Sequence, residues 1–275
     1  MNGAARQALP LPEHLRPVPV AGFIPRGFLT LLWKEIWRFL KVINQTVLAP
    51  VVTNCLYLAV FGVAISRRAS SWPGISYMEF LVPGLVMMGL IQNSFQNSSS
   101  TIIIAKYQGT ISDLLVVPMR PGELAAAFAL SGMLRGLIVG VATYLSSLVF
   151  IPVRLVHPFG ALGTAMVIGV TFASLGAVVA IKAKDFDEIA RIQHFLLLPL
   201  VFLGGVFFSA KHLPGRWANV ALFNPIFHMI DAFRHSMLGR GDLPLLLDLA
   251  GVGFWCVLAT GALYFVFLTG KWLRQ

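Results

Sequence analysis

Residues 78–104 read MEFLVPGLVMMGLIQNSFQNSSSTIII, and the two halves of that stretch decide what kind of molecule this is. As a helix rising 1.5 Å per residue it is long enough to cross ~30 Å of hydrocarbon, which takes about 20 residues. Up to Ile91 it is almost wholly apolar. Then nine of the ten residues Gln92, Asn93, Ser94, Phe95, Gln96, Asn97, Ser98, Ser99, Ser100 and Thr101 are polar, covering ~15 Å of helix on every side. Polar groups at that depth are costly against lipid. The helix therefore belongs in a bundle interior, at a subunit seam or beside a water-filled path. The plainer alternative is packing glue between helices, which suits the Ser and Thr residues well and the Asn and Gln residues poorly.

Five further segments of crossing length flank it, at about 44–65, 124–151, 159–181, 192–210 and 245–270. Composition agrees: 57% of residues are apolar, 12% are charged and the mean hydropathy is +0.79, whereas soluble domains carry about a quarter charged residues. The expected fold is an all-α integral membrane protein of six transmembrane helices. Disordered, collagenous, coiled-coil and disulfide-stapled classes are excluded. Cys55 and Cys256 lie within apolar runs and read as small buried hydrophobes.

The formal charge of +10, from 21 Lys and Arg against 11 Asp and Glu, would suggest nucleic acid in a soluble protein. Here it marks topology. With the N-terminus inside, thirteen basic residues fall on cytoplasmic segments and seven outside, with Arg135 in span 3. That bias puts both termini in the cytoplasm and makes membrane lipid, not nucleic acid, the partner of the charge.

Residues 1–27, with Pro10, Pro12, Pro17, Pro19 and Pro25, read as a flexible cytoplasmic tail, and 28–275 as the transmembrane domain. Phe28, Leu31, Leu32, Ile36, Phe39 and Leu40 recur at helical spacing, while Lys34, Glu35, Arg38 and Lys41 supply a charged side. That is an amphipathic helix of the kind that lies in a membrane interface. Residues 211–244 are too short and polar to cross and too apolar for a water loop, so re-entrant helices are expected, broken at Asn224-Pro225.

Two cytoplasmic connections carry docking anatomy. Residues 106–121 place Ile111, Leu114 and Leu115 as apolar anchors beside Asp113, and 182–191 pack three acids and three bases around Phe186 and Ile189. Solvated turns are the alternative for both. His228, Asp231 and His235 share a helix face, but three ligands without a fourth donor are weak grounds for a metal. Arg135 must snorkel, bind backbone carbonyls or meet substrate. There is no G-x-x-x-x-G-K-[ST] loop, no G-x-S-x-G elbow and no pair of intramembrane acids. The expectation is that the chain is not an enzyme, holds no cofactor and takes its energy from elsewhere.

At this point the sequence resembles the ABC-2-type permeases, the membrane halves of bacterial ABC exporters, over residues 28–270. The resemblance rests on Trp33-Lys34-Glu35-Ile36-Trp37-Arg38, on Phe80-Leu81-Val82-Pro83-Gly84, and on Lys106-Tyr107-Gln108 continuing to Asp113-Leu114-Leu115-Val116-Val117-Pro118. It rests equally on Gly204-Gly205-Val206-Phe207-Phe208-Ser209 with Leu213-Pro214, Trp217, Asn224-Pro225 and Arg234. The wording is similar to the YadH-like branch, near nodulation-factor and polysaccharide export permeases.

The resemblance implies a homodimer in a bacterial inner membrane with two separate ATPase subunits beneath it, which would carry ATP and Mg. An amphiphilic, lipid-linked, glycan or drug-like substrate would move by alternating access. It assigns ATPase coupling to Lys106, Tyr107, Gly109, Asp113, Leu114, Leu115 and Pro118, to Asp185, Glu188 and Arg191, and to Lys34, Glu35 and Arg38. The substrate path falls to Asn93, Gln96, Asn97, Ser100, Phe202 and Phe207, and the outer gate to Trp217, Asn224, Pro225 and Arg234. A channel or a polytopic membrane enzyme working without an ATPase is the alternative.

Overall fold

The computed structural model describes residues 25–65, 74–111, 119–212 and 216–269. Residues 1–24 of the expected tail lie outside these, as do Asp113, Leu114, Leu115, Pro118 and the side chain of Trp217. The fold is all-helical, and six helices among the described residues are long and apolar enough to cross a membrane: Asn44–Gly62, Tyr77–Tyr107, Pro121–Ser147, Pro158–Lys182, Phe186–Val206 and Leu245–Thr269. We number them spans 1 to 6. An amphipathic helix, Pro25–Leu40, precedes them, and two short helices, Arg216–Phe223 and Pro225–Leu238, stand between spans 5 and 6.

Span 2 is the axis of the bundle. Its most apolar window is 83% enclosed by the chain, against 22% for span 1 and 28% for span 6, so spans 1 and 6 present apolar sides outward while span 2 is wrapped by its neighbours. It starts where Ser76 and Glu79 cap each other: Ser76 Oγ accepts from the Glu79 amide at 3.2 Å and the Glu79 carboxylate accepts from the Ser76 amide at 2.7 Å. It stops before Gly109, whose φ of 69° is left-handed.

Lipid offers no hydrophobic drive between helices, so close backbone approach through small residues must supply the packing. Spans 3 and 4 do this with glycine. A Cβ at Gly136 would fall 2.0 Å from Ser94 Oγ, and one at Gly176 only 2.2 Å from the carbonyl oxygen of Phe95. The serines of the polar run fill that seam, with Ser98 Oγ donating to the Phe128 carbonyl at 3.0 Å.

Span 5 is irregular. Asp185 caps its start by accepting from the Glu188 amide at 2.8 Å, so the expected loop 182–191 shrinks and Phe186 onward joins the helix. The reason is local: Asp185 and Glu188 stand in capping spacing. Further along, Gln193–Leu197 and Phe202–Val206 are π-helical, and Gly205, at φ 82°, breaks the helix.

Candidate functional site

The polar run of span 2 divides by face. Asn93, Ser94, Asn97, Ser98 and Ser99 are buried inside the subunit. Gln92, Gln96, Ser100 and Ile104, four apart, form the stripe that the chain leaves partly uncovered, with Gln96 the most exposed. The polar run thus has a packed side and a partly uncovered one. Of the residues assigned to the path, Asn93 and Asn97 lie on the closed side and Gln96 and Ser100 on the open one.

Two arginines meet this helix one turn apart. Arg135 of span 3 directs Nη2 to Asn93 Oδ1 at 3.3 Å and Gln96 Oε1 at 3.4 Å. Among the described residues its partners are thus side-chain amide oxygens of span 2, not backbone carbonyls. Arg38 of the amphipathic helix donates to Asn97 Oδ1 at 3.2 Å and to Thr101 Oγ1, while Nε donates to Glu35 at 3.2 Å. Thr101 Oγ1 also donates to Glu35 at 2.9 Å. Glu35, expected on a charged outer side, is only 2% exposed. The physical reason is that the face of span 2 it meets is polar, so the amphipathic helix turns its acid inward. Trp33 and Trp37 are stacked 5.9 Å apart on the uncovered side.

At the end of span 2 near residue 107, the two expected docking elements come together. Lys106 Nζ donates to the Ala183 carbonyl at 2.8 Å and to that of Ile181, closing the end of span 4. The Tyr107 and Phe186 rings lie 4.9 Å apart, both exposed. Arg191 stands 3.8 Å from Glu188 at the surface. Lys34 is likewise exposed.

At the opposite end, motifs far apart in sequence form one node. Arg234, fully buried, donates to the Gly205 carbonyl at 2.7 Å, lies 3.5 Å from Asp231 and stacks 4.0 Å over the Phe80 ring. A Cβ at Gly84 would strike the Val206 carbonyl at 2.8 Å. Tyr77 Oη donates to the Phe207 carbonyl at 2.9 Å. Asn224 accepts from the Ile226 amide at 3.0 Å, with Pro225 in the first turn, and donates to the Leu200 carbonyl at 2.6 Å. Phe202 and Phe207 pack with Tyr57 and Phe61 of span 1. Since Phe207 is joined to Tyr77, this cluster sits ~28 Å along span 2 from Gln96, so the structure does not unite the two halves of the expected path.

The histidine face resolves into separate bonds. Asp231 accepts from the Asp242 and Leu243 amides at 2.8 and 2.9 Å, and His235 Nε2 donates to the Leu243 carbonyl at 2.7 Å. The group that converges is Asp231, His235 and Asp248, with ligand-capable atoms within 4.8 Å of one another. Its existing bonds brace the turn before span 6. His228 faces two acceptors, Asp248 Oδ1 at 2.9 Å and the Leu222 carbonyl at 3.0 Å, so both ring nitrogens are best satisfied when protonated. The bond to Asp248 accordingly raises its pKa above the usual histidine value, against the opposing pull of burial.

A raised folded pKa stabilises below the unfolded value near 6.5 and loses that contribution as pH climbs through the folded one. Wild type should therefore exceed His228→Gln in thermal stability by about 1 kcal/mol at pH 5.5. The gap should narrow by pH 8.5, in unfolding scans of the purified chain in detergent. A gap that widens with pH would contradict the pairing.

Sequence reasoning named Phe80, Gln92 and Thr101 without giving them a site role, and missed Asp242, Asp248 and Asn54, whose Nδ2 donates to Thr143 at 3.1 Å. Asn54 carried a signal, being a lone amide in an apolar span. Asp248 carried none, because at the start of span 6 it looks like an ordinary boundary acid.

A family model described as ABC-2 type transporter matches residues 26–238. The inner membrane transport permease YadH of Escherichia coli K12 is 40% identical over 216 residues, covering 78% of this chain and 84% of that protein. Nodulation protein J of Rhizobium leguminosarum bv. viciae is 25% identical over 231 residues, covering 79% and 85%. Its namesake in Rhizobium meliloti strain 1021 is 28% identical over 224 residues, covering 75% and 81%.

Proposed function

The chain belongs to the ABC-2 type transporter family, and from that premise we propose that two copies of it form the transmembrane pathway of an ATP-driven exporter. Membership makes it the membrane transport subunit of an ABC transporter, with the ATPase a separate protein and no enzymatic activity of its own. Beyond that, the reading is that two ATPase subunits, holding ATP and Mg, dock beneath the bundle in a bacterial inner membrane, with both termini cytoplasmic. Closure of the ATPases rocks the helices between inward and outward access. The cargo is amphiphilic, lipid-linked, glycan or drug-like.

The observation that carries this reading is the stripe Gln92, Gln96 and Ser100. A helix wrapped almost completely by its own subunit leaves uncovered a line of amides and hydroxyl that lipid does not tolerate. A second copy or a water-filled path between copies must cover it. Lys106, Tyr107, Asp185 and Phe186, gathered at one end, support a single ATPase shelf, and the uncovered Trp33 and Trp37 support a helix lying in the interface.

The test is hydrolysis by the chain purified with its ATPase. Replacing Asp113 and Leu114 by alanine should cut turnover at least tenfold, or abolish co-purification. Turnover and assembly indifferent to both, and to Tyr107→Ala, would refute the coupling assignment. Currents recorded from the chain alone would favour a channel instead.

A further inference from the structure

We propose that Arg135, with Gln92 and Gln96, forms an intramembrane site for an anionic group, a phosphate, sulfate or carboxylate carried on an amphiphile. The inference deepens the transport reading, since the occupant would be the charged end of the cargo.

The first ground is charge. Arg135 is 6% exposed, in the middle of span 3. Among the described residues no carboxylate lies within ion-pair distance of it, whereas Arg38 has Glu35 and Arg234 has Asp231. A guanidinium does not shed its proton in a protein. Its two side-chain contacts, at 3.3 and 3.4 Å, are long and go to neutral amide oxygens, which solvate a cation without balancing it. Among the described residues the charge of Arg135 is thus uncompensated at membrane depth.

The second ground is unused donors. Arg135 Nε and Gln92 Nε2 are enclosed N–H groups with no acceptor among the described residues, whereas buried donors as a rule find one. The third is access: Gln96, in contact with the guanidinium, is exposed, and Gln92 is partly so, one turn away on the same stripe. A guanidinium fork with flanking amide N–H donors matches oxyanion geometry, and it repels cations.

The experiment uses the full chain in phosphatidylcholine nanodiscs, with binding read by ligand-induced thermal shift and native mass spectrometry. Dodecyl phosphate should bind and dodecyltrimethylammonium should not. Arg135→Gln should weaken dodecyl phosphate about tenfold or more. Gln96→Glu should do the same by placing a carboxylate against the guanidinium, with its ligand-free unfolding temperature compared with wild type to separate lost binding from lost folding. Competition by phosphatidylglycerol with the same dependence on Gln96→Glu would support the site with a bilayer headgroup as its occupant. Competition by inorganic phosphate at equal concentration would overturn the amphiphile requirement. Dodecyl phosphate binding unchanged in both variants, or equal binding of the cationic amphiphile, would overturn the site. No ATPase is needed, so failure here is separable from failure of the transport reading, which ATPase assembly tests.

Discussion

Arg234→Met should destabilise the protein by about 3–5 kcal/mol, the cost of removing one partner from a buried ion pair. Arg234 and Asp231 are both completely enclosed, and the guanidinium also holds the Gly205 carbonyl and covers Phe80. Methionine fills much of the volume but leaves the Asp231 carboxylate without its cation and the broken end of span 5 without its donor. Arg234→Lys keeps the charge and loses the fork, so it should fall between the two. Adding Asp231→Asn to Arg234→Met should recover part of the loss, because the stranded charge is gone while Asn can still accept from the Asp242 and Leu243 amides. Thermal unfolding of the purified chain in detergent measures all four proteins. An Arg234→Met chain that unfolds with wild type would show that the node does not hold spans 2 and 5 together.

The second large effect is expected at Gly176. Its Cβ position lies 2.2 Å from the Phe95 carbonyl oxygen and 3.0 Å from the Phe95 Cα, so the obstacle is backbone and cannot swing aside. Gly176→Val should force spans 2 and 4 apart at a cost of about 3 kcal/mol, and Gly176→Ala should cost about 1–3 kcal/mol. Gly163, on the same helix, has nothing within 4 Å of its Cβ position. There alanine should be neutral or stabilise by up to about 1 kcal/mol, since glycine is the poorer helix former. Opposite signs for one substitution at two sites of one helix are the diagnostic result in detergent unfolding. Equal effects would mean that the close seam is not what packs the bundle.

These two sites differ in how visible they were beforehand. Arg234 belonged to a recognisable phrase, yet nothing local connected it to Phe80 or Gly205. Gly176 was one glycine among many. Span 5 shows the same split: its hydropathy announced a crossing, but its start moved to Phe186 through a cap, and its far end broke at Gly205 under the grip of a residue 29 positions away. Glu35 was legible as a charge and misjudged in direction, because an amphipathic pattern says which residues share a face and not what that face will meet.

Six crossings, the all-helical class, the interior placement of span 2 and the absence of an ATP loop followed from sequence alone, because crossing length, desolvation cost and motif spacing are properties of contiguous residues. The division of the polar run into a packed face and an open stripe was decided only by tertiary structure. So were the burial of the pairs Arg38–Glu35 and Arg234–Asp231, whose spacing of three already puts each on one helix face, and the isolation of Arg135. Those depend on which helix sides meet across separations of 42 and 59 residues, and the energy of a buried charge is set by its neighbours in space.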